Sequence, residues 1–295
     1  MKMLILVNPL AGRGRGETVA RNTRTILHKH GIDVVCCCSQ RVGHLSQMAA
    51  KEVNGTWDGI VAIGGDGTLF EVVNGMMQGN PELPVPLGVI PVGSGNSFCR
   101  DLNINCFDDA IGKIIKGRTR RIDLGWCECE SYSFSFINIL GFGFVTDVAR
   151  KAMAYKRWGD LSYIIGIFIV TMRLSSYPLE IELDGRTFER DNIFVEVCNS
   201  TKTGGSMNMA PLAKIDDGLL DVVMLNKTSR TRLISALPKL FKGTHIQMPE
   251  VETYTARQMV FKPAEPKVLS PDGEIFGCSP IRVSVLPGKL KVFDT

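Results

Sequence analysis

The chain has 295 residues, of which 44% are hydrophobic, and it carries 34 lysines and arginines against 30 aspartates and glutamates. This length and apolar content support two domains or one large one, with well-formed cores. The net charge of +4 is too small to predict a nucleic-acid partner, so we expect no nucleic-acid binding.

The nine cysteines and the apolar segments help to predict the cellular compartment of the protein. The apolar run from Leu4 to Val7 is far shorter than a signal-peptide core and stops at Asn8-Pro9, which predicts a reducing, cytoplasmic location. There the cysteines are expected to pack rather than to bind metal. The longest apolar stretch, from Tyr163 to Met172, has ten residues, too few to span a bilayer. We expect a buried or interfacial helix there.

In chain order, strands and helices alternate over the first 120 residues. Strands are predicted at 3–7, 34–39, 59–63 and 87–91, and helices at 17–30, at 43–53, after 68 and after 96. Such alternation is typical of a parallel, Rossmann-like α/β domain, which we place at residues 1–125. Ligands of this fold class gather at the carboxyl ends of the strands.

Three glycine-rich turns follow three of these strands, at residues 8–16, 64–68 and 92–97. The first turn, with glycines at 12, 14 and 16, fits neither the dinucleotide-binding fingerprint nor the P-loop. Strand–turn–helix units of this kind nevertheless present backbone N–H groups that suit phosphate. We expect the three turns to converge.

The turn at 64–68 also contains an acid, Asp66, and a threonine, Thr68, that we expect to cap the next helix. A carboxylate among phosphate-binding groups repels its ligand unless it handles Mg²⁺ or accepts a proton, which favours phosphoryl transfer. The alternative is an ordinary turn, because Asp-Gly occurs five times in the chain. The glycine cluster after a buried strand favours the functional interpretation.

Beyond residue 125 alternating strands dominate. They are predicted at 132–138, 179–183, 192–198, 219–225 and 257–261, with helices at 159–174 and 230–241. This pattern predicts an antiparallel β-sandwich over residues 126–287, with hairpins closed by Asp-Gly turns. A last strand at about 288–295 is expected to return to the first domain.

Two acidic stretches stand out in this second half. The segment from Lys214 to Asp221 places three carboxylates around one turn, and Asp272 lies two residues before Glu274. On a strand, residues two apart share a face, so Asp272 and Glu274 could address one point. The alternative for each stretch is a hairpin turn with solvated acids.

With these motifs in hand, the chain resembles the superfamily of diacylglycerol kinases and sphingosine kinases, specifically its bacterial-type soluble lipid kinases. The resemblance covers nearly the whole chain. It rests on five motifs in the family's order: Val7-Asn-Pro9, Gly64 to Asn74, Pro91 to Asn96, Ala210 to Asp221, and Asp272-Gly-Glu274.

The resemblance implies a nucleotide-binding α/β domain, a β-sandwich domain and ATP bound in the cleft between them. It assigns Asp66, Asp272 and Glu274 to the reaction. The nucleotide-binding residues that it implies are Asn8, Arg13, Ser39, Gly64, Gly65, Gly67, Thr68, Gly93, Ser94, Gly95 and Asn96. It also implies a structural Mg²⁺ held by the Asp217 side chain and by the carbonyls of Lys214 and Leu219, separate from the catalytic Mg²⁺.

The mechanism that follows is a hypothesis. A carboxylate, Asp272 or Asp66, accepts the proton of a lipid hydroxyl as that hydroxyl attacks the γ-phosphorus of ATP. Diacylglycerol, which would yield phosphatidic acid, is the expected substrate. The chain has Ser97 where many bacterial relatives have Asp, and it reads Gly-Ser-Gly-Asn as sphingosine kinases often do. A sphingoid-base or ceramide kinase therefore stays open as an alternative.

A lipid substrate implies peripheral, transient contact with the inner surface of the membrane. The apolar stretch 163–172, preceded by Lys151, Lys156 and Arg157, is expected either to form the lipid cleft and its membrane-facing rim or to be an ordinary core helix. Two further alternatives are an NAD kinase, which shares the Gly-Gly-Asp-Gly-Thr turn, and a lipid-binding protein without turnover. A homodimer is also left open.

Overall fold

The computed structural model describes residues 1–93, 95–155 and 161–294. The chain forms two compact units. Unit 1 comprises Met1–Ile122 and Gly288–Thr295, and unit 2 comprises Asp123–Pro287. The domain boundaries predicted from the sequence, at residue 125 and at about residue 288, are close to the boundaries of these units. Each unit has its own sheet and core.

Unit 1 is built on a parallel sheet, as predicted. Its strands are β1 (Lys2–Val7), β2 (Asp33–Cys38), β3 (Gly59–Gly64) and β4 (Leu87–Pro91). They lie in the order β2-β1-β3-β4, and every pairing among them is parallel. Val292, near the end of the last strand β14 (Ile281–Phe293), pairs in parallel with Leu87. The end of the chain therefore belongs to this sheet.

Burial separates the interior strands from the edge strand. All six residues of β3 are buried, and so are five of the six in β1, since both strands have a neighbour on each side. By contrast, Cys36 and Cys38 in β2 are exposed. The prediction that cysteines pack was wrong for these two, because the alternating side chains of an edge strand are less completely covered.

Helices follow the strands of unit 1. They are α1 (Ala11–Gly14), α2 (Gly16–Lys29), α3 (His44–Glu52), α4 (Asp66–Gly79), α5 (Ser97–Asp101) and α6 (Phe107–Lys116). The first of them, α1, is a distorted turn, since Gly12 and Arg13 adopt left-handed backbone angles. The α6 helix was not predicted, although Ala110, Ile111 and Ile114 form its buried face at helical spacing.

Unit 2 is antiparallel throughout its paired strands. Its strands are β5 (Thr119–Cys129, which begins in unit 1), β6 (Ser133–Phe136), β7 (Ile139–Gly143), β8 (Tyr177–Leu183), β9 (Arg186–Cys198), β10 (Leu220–Asn226), β11 (Val251–Ala256), β12 (Gln258–Pro263) and β13 (Leu269–Pro271). One series of pairings is β11-β10-β9-β7-β13, and a second is β9-β8-β12-β14.

The long strand β9 takes part in both series. Its first part pairs with β8, and its last residues pair with β7 and β10. The rings of Phe142 in β7 and Phe261 in β12 meet edge to face at 5.5 Å between centroids, so the two layers pack on each other. The predicted antiparallel sandwich is confirmed. Asp184 and Gly185, both at positive φ, close the β8–β9 hairpin as predicted.

Three α-helices cover part of the sandwich: α7 (Phe144–Ala154), α8 (Leu161–Thr171) and α9 (Arg230–Lys242), with a 3₁₀ turn at Thr244–Gln247. The helix predicted over 159–174 corresponds to α8, although residues 156–160 lie outside the described residues. Within the described ranges, no helix combines the length and the apolar character needed to cross a membrane. The α7 helix was not predicted.

Candidate active site

The three glycine turns of unit 1 converge, as predicted, at the carboxyl ends of β1, β3 and β4. A Cβ atom on Gly93 would lie 2.6 Å from the Cα of Gly65, and one on Gly12 would lie 2.4 Å from the carbonyl oxygen of Val92. Only glycine allows so close an approach at these positions. The turns therefore pack backbone against backbone, which leaves their N–H groups near one another.

Asn8 ties the first turn to the second. Its backbone N–H donates to the carbonyl of Ile63 at 3.1 Å, and its Nδ2 donates to Oγ1 of Thr68 at 3.2 Å. The α4 helix begins at Asp66 with Gly65 as its N-cap, and no side chain caps it. Thr68 thus lies inside the first turn of the helix, and the prediction that it serves as the cap was wrong.

Asp66 is the acid of this region. As the first residue of α4, it accepts a hydrogen bond at Oδ1 from the backbone N–H of Ser97 at 2.8 Å. Burial raises the pKa of its carboxyl, while hydrogen bonds from the 96–98 backbone act in the opposite direction. A carboxylate with a raised pKa is better suited to accept a proton than an ordinary surface aspartate.

Asn96 shapes the turn after β4. It adopts a left-handed conformation with φ of 52°, and its Nδ2 donates to the carbonyl of Gly93 at 2.7 Å. Its Oδ1 is buried and has no hydrogen-bond partner in the part of the chain that the structure describes. A buried, unpaired oxygen is costly unless a ligand or ion satisfies it. Ser94 of the same turn lies outside the described residues.

The remaining nucleotide-binding candidates lie around these turns. Gly67 follows Asp66 in α4, and Gly95 precedes Asn96. Arg13 has a left-handed backbone in the first turn, with φ of 63°. The N–H of Ser39 donates to the carbonyl of Val7 at 2.9 Å, which fixes Ser39 beside the end of β1.

In unit 2, Asp272 holds a backbone segment in place. Its Oδ1 accepts hydrogen bonds from the N–H groups of Asn138 and Ile139, at 2.8 and 3.0 Å, and its Oδ2 accepts one from Ile137 at 2.9 Å. The side chain is nine-tenths buried. Both carboxylate oxygens therefore accept hydrogen bonds from the backbone. The continuous strand predicted over 132–138 is interrupted at this segment, since β6 ends at Phe136 and β7 begins at Ile139.

Asp272 and Glu274 do not lie on a strand. The β13 strand ends at Pro271, after which Asp272 and Gly273 take positive φ angles, and the N–H of Glu274 donates to the carbonyl of Pro271 at 2.8 Å. The prediction that Asp272 and Glu274 share one face of a strand was therefore wrong, because the two acids lie on a tight turn. Glu274 is exposed.

The loop predicted to hold a structural metal contains an Asx turn. Oδ1 of Asp217 accepts from the N–H of Leu219 at 3.1 Å, and Lys214 precedes it on an exposed stretch. Burial and the charge of Asp217 raise the pKa of Asp221 to about 6. No group of three or more histidine, cysteine or acidic side chains suited to a metal occurs among the described residues.

Asp123 links this loop to Asp272, and it was not predicted as a site residue. Its Oδ2 accepts from the N–H of Gly218 at 2.6 Å, and its carbonyl accepts from Nδ2 of Asn199 at 3.0 Å. The same Nδ2 donates to the carbonyl of Ile137, whose N–H is bound by Asp272. The only sequence signal is a lone acid in an apolar strand, a signal that Glu196 in β9 shares.

Comparisons with known proteins agree with this architecture. The model of the diacylglycerol kinase catalytic domain matches residues 2–127, and that of the YegS C-terminal NAD kinase beta sandwich-like domain matches residues 138–294. A diacylglycerol kinase of Mycobacterium tuberculosis (strain ATCC 25618 / H37Rv) is 30% identical, over 99% of this chain and 94% of its own. One of Staphylococcus aureus (strain bovine RF122 / ET3-1) is 28% identical, over 98% and 91%.

A solved structure agrees over the full length. The crystal structure of a putative diacylglycerol kinase from Bacillus anthracis str. Sterne superposes with a TM-score of 0.83 at 25% identity, covering 100% of this chain and 97% of that one. Both domain models, the curated relatives and the solved fold point to one family, whose activity is ATP-dependent. The chain belongs to the diacylglycerol kinase family and is a lipid kinase.

Proposed function

We propose that this lipid kinase transfers the γ-phosphate of ATP to the free hydroxyl of diacylglycerol, producing phosphatidic acid. The observation that carries the proposal is the similarity, over nearly the entire chain, to proteins named diacylglycerol kinase. The paired glycines of the converging turns support the nucleotide half of the reaction, because they bring backbone N–H groups together where phosphates are bound.

In this proposal Asp66 accepts the proton of the lipid hydroxyl. The hydroxyl is a weak nucleophile at neutral pH, and proton removal during attack lowers the barrier. Burial raises the pKa of Asp66, which favours proton acceptance, while the hydrogen bond from Ser97 fixes the orientation of the carboxylate. Backbone N–H groups of the turns and the start of α4 offset the charge that develops on the transferred phosphoryl group.

Asp272 has a positioning role in this scheme. Its three hydrogen bonds hold residues 137–139 at the point where β6 ends and β7 begins. Glu274 lies exposed on the same turn. Of the two acids of the Asp-Gly-Glu motif, Glu274 is therefore the one proposed to contact the reacting groups.

Mg²⁺ is the proposed metal cofactor. Asp66 and the unpaired Oδ1 of Asn96 supply hard oxygen donors in unit 1, and Asp217 with the carbonyls of Lys214 and Leu219 supplies them in unit 2. Burial and then the charge of Asp217 raise the pKa of Asp221, so a cation there would relieve the repulsion between the two acids. Bound Mg²⁺ would neutralise phosphate charge in the first case and stabilise the loop in the second.

The lipid substrate implies a membrane-facing surface, and we place it on α7 and α8. Large apolar side chains are exposed at the ends of these helices and directly after them: Met153, Tyr155, Leu161, Phe168, Ile169 and Met172. Lys151 is an exposed cation beside them, whereas Lys156 and Arg157 lie outside the described residues. An apolar patch with basic neighbours is typical of a helix that lies in a membrane interface.

One assay tests the substrate. Purified protein is incubated with γ-labelled ATP, Mg²⁺ and a panel of diacylglycerol, sphingosine, ceramide and NAD, and each product is separated and counted. Labelled phosphatidic acid is expected. Label in a sphingoid or ceramide phosphate, or in NADP, would replace the proposed acceptor. Lipid binding without any labelled product would show a binding protein instead of an enzyme.

A further inference from the structure

Unit 2 contains a cavity that is lined by none of the residues assigned to the proposed reaction. It has a volume of about 70 Å³ and lies between the start of α7, the end of α8 and the segment that precedes β13. Its lining includes Gly143, Phe144, Arg173, Tyr177 and Lys267. This volume is well below that of a site for a drug-sized ligand, so it suits a small group rather than an acyl chain.

The hydroxyl of Tyr177 is buried at this cavity. The side chain is nine-tenths buried, and its Oη makes no hydrogen bond with the residues that the structure describes. A Cβ on Gly143 would lie 2.6 Å from this Oη, so only a glycine leaves the hydroxyl its place. Burial and then the charge of Asp147 raise the pKa of Tyr177, which keeps it a hydrogen-bond donor. An unpaired donor costs free energy unless a ligand accepts from it.

Positive charge surrounds this donor. Nζ of Lys267 lies 4.6 Å from the centre of the Tyr177 ring. Glu265 forms an ion pair with Lys267 at 3.9 Å and is largely exposed. Arg173 lines the cavity and has no ion-pair partner among the described residues. The α7 helix starts here with Gly143 as its N-cap and no side-chain cap, so its first N–H groups add to the positive end.

One carboxylate also lines the cavity. Asp147 is more than half exposed and lies 3.8 Å from Arg150, an exposed cation of the same helix that offsets its charge. Two cations, a helix N-terminus and a phenolic donor thus oppose a single, partly neutralised acid. The balance favours an anion with several acceptor oxygens, for which arginine supplies a planar fork and lysine a point charge.

We infer that this cavity binds a phosphate group, held by Arg173, Lys267 and the Tyr177 hydroxyl at the N-terminus of α7. The site is separate from the glycine turns of unit 1, and it does not depend on which lipid is phosphorylated. The phosphate has two sources with the same chemistry: the headgroup of an anionic phospholipid, and free phosphate.

The backbone at Lys267 is fixed by two hydrogen bonds with Ser279. The Lys267 N–H donates to Oγ of Ser279, and the Ser279 N–H donates to the carbonyl of Lys267.

The test is calorimetric binding of two probes, inorganic phosphate and short-chain phosphatidylglycerol below its micellar concentration, at constant ionic strength. A non-hydrolysable ATP analogue is present at saturation, so that phosphate cannot report on the nucleotide turns. The cavity variants are Arg173→Gln, Lys267→Gln and Tyr177→Phe, the last of which keeps the ring beneath Lys267. The matched control is Arg282→Gln, which removes one exposed charge of unit 2 elsewhere.

We expect Arg173→Gln and Lys267→Gln each to weaken binding about 10-fold or more, and Tyr177→Phe by about 3-fold or more, as for lost charge-assisted hydrogen bonds. Arg282→Gln should bind as the wild type does. Preference for phosphatidylglycerol would identify a headgroup site, and preference for inorganic phosphate a free-anion site. Wild-type protein that binds neither probe, or cavity variants that bind like the control, would overturn the inference.

Discussion

Asp66 and Asp272 hold their carboxylates in different ways. Asp66 accepts hydrogen bonds from the 96–98 segment, with the Ser97 N–H 2.8 Å from Oδ1, and burial still raises its pKa. The two oxygens of Asp272 accept three hydrogen bonds from consecutive backbone N–H groups. A carboxylate with a raised pKa suits proton transfer, and one that joins three N–H groups of a distant segment suits the fixing of a loop.

Replacing Asp66 with Asn should lower kcat by about 10²- to 10⁴-fold, the usual contribution of a positioned base. The amide keeps the shape of the side chain and an acceptor for the Ser97 N–H, so the fold should be retained. The measurement is the initial rate of lipid phosphorylation at saturating ATP and lipid, with thermal unfolding as the folding control. A wild-type rate would show that Asp66 is not needed.

Glu196 should make stability depend on pH. It is buried near the end of β9, on the face that Phe194 and Cys198 share with an apolar cluster, and its Oε2 has no partner among the described residues. Burial raises its pKa from 4.5 to about 8. Between these values the folded protein keeps the proton and the unfolded chain releases it. The free energy of unfolding therefore falls as pH rises through this window, by about 1.4 kcal/mol per unit.

The variant Glu196→Gln removes this titration. Urea unfolding across the same window should show a flatter dependence on pH than the wild type and a higher stability at the alkaline end. Glu189→Gln, which neutralises an exposed acid of the same strand, is the matched control and should follow the wild type. Identical slopes in wild type and Glu196→Gln would mean that the carboxyl is solvated in solution.

Among the elements, α7 and α8 stand apart because their apolar side chains are divided between two surroundings. Val148 and Ile167 pack into the buried cluster of unit 2, whereas Phe168 and Ile169 are 48% and 39% exposed. A helix with apolar residues on more than one side buries only part of them within its own unit. The exposed remainder requires another apolar environment.

The double variant Phe168→Ser and Ile169→Ser should bind vesicles of anionic phospholipid at least about 10-fold less tightly, because burial of each side chain is worth about 1.5–3 kcal/mol. Sedimentation with vesicles measures the binding. Activity on a short-chain, water-soluble diacylglycerol should stay near the wild-type value. Val42→Ser, an equally apolar exposed position in unit 1, serves as the control. Undiminished vesicle binding would place the membrane contact elsewhere.

At the scale of the whole molecule, unit 1 is built from two segments that lie far apart in the sequence, Met1–Ile122 and Gly288–Thr295. Asp294 accepts a hydrogen bond from Nζ of Lys113 at 2.6 Å and forms an ion pair with Arg120, whose Nε lies 2.6 Å from Oδ2. The side chains of Lys113 and Asp294 are 7% and 13% exposed. The parallel pairing of Val292 with Leu87 adds the final strand to the sheet. The final residues thus contribute polar contacts as well as a strand to unit 1.

Asp294→Asn should destabilise unit 1 by about 3 kcal/mol, because it leaves two cations near the buried end of the chain without their shared counter-ion. Native-state hydrogen exchange of the β1 and β3 amides measures this unit directly. Asp33→Asn, which removes an exposed acid of the same unit, should change little. Equal protection in Asp294→Asn and the wild type would contradict the structural role of the pair.

The sequence by itself determined the parallel α/β unit, the antiparallel sandwich and the converging glycine turns. These depend on local patterns: buried strands, glycine at close approaches and Asp-Gly at hairpins. Local pattern also suggested that Asp272 and Glu274 share a strand face and that Thr68 caps α4, and both predictions were wrong. A change of one or two residues in an element boundary alters the direction of a side chain, and periodicity does not locate boundaries so closely.

Only the tertiary structure decided what the buried polar groups do. The partners of Asp272 lie more than 130 residues before it in the chain, and Asp123 meets Gly218 across 95 residues. The cavity at Tyr177 likewise joins segments whose residues are unremarkable in sequence. A hydrogen bond or a cavity depends on positions to within a fraction of an ångström, and those positions follow from the packing of the whole unit rather than from neighbours along the chain.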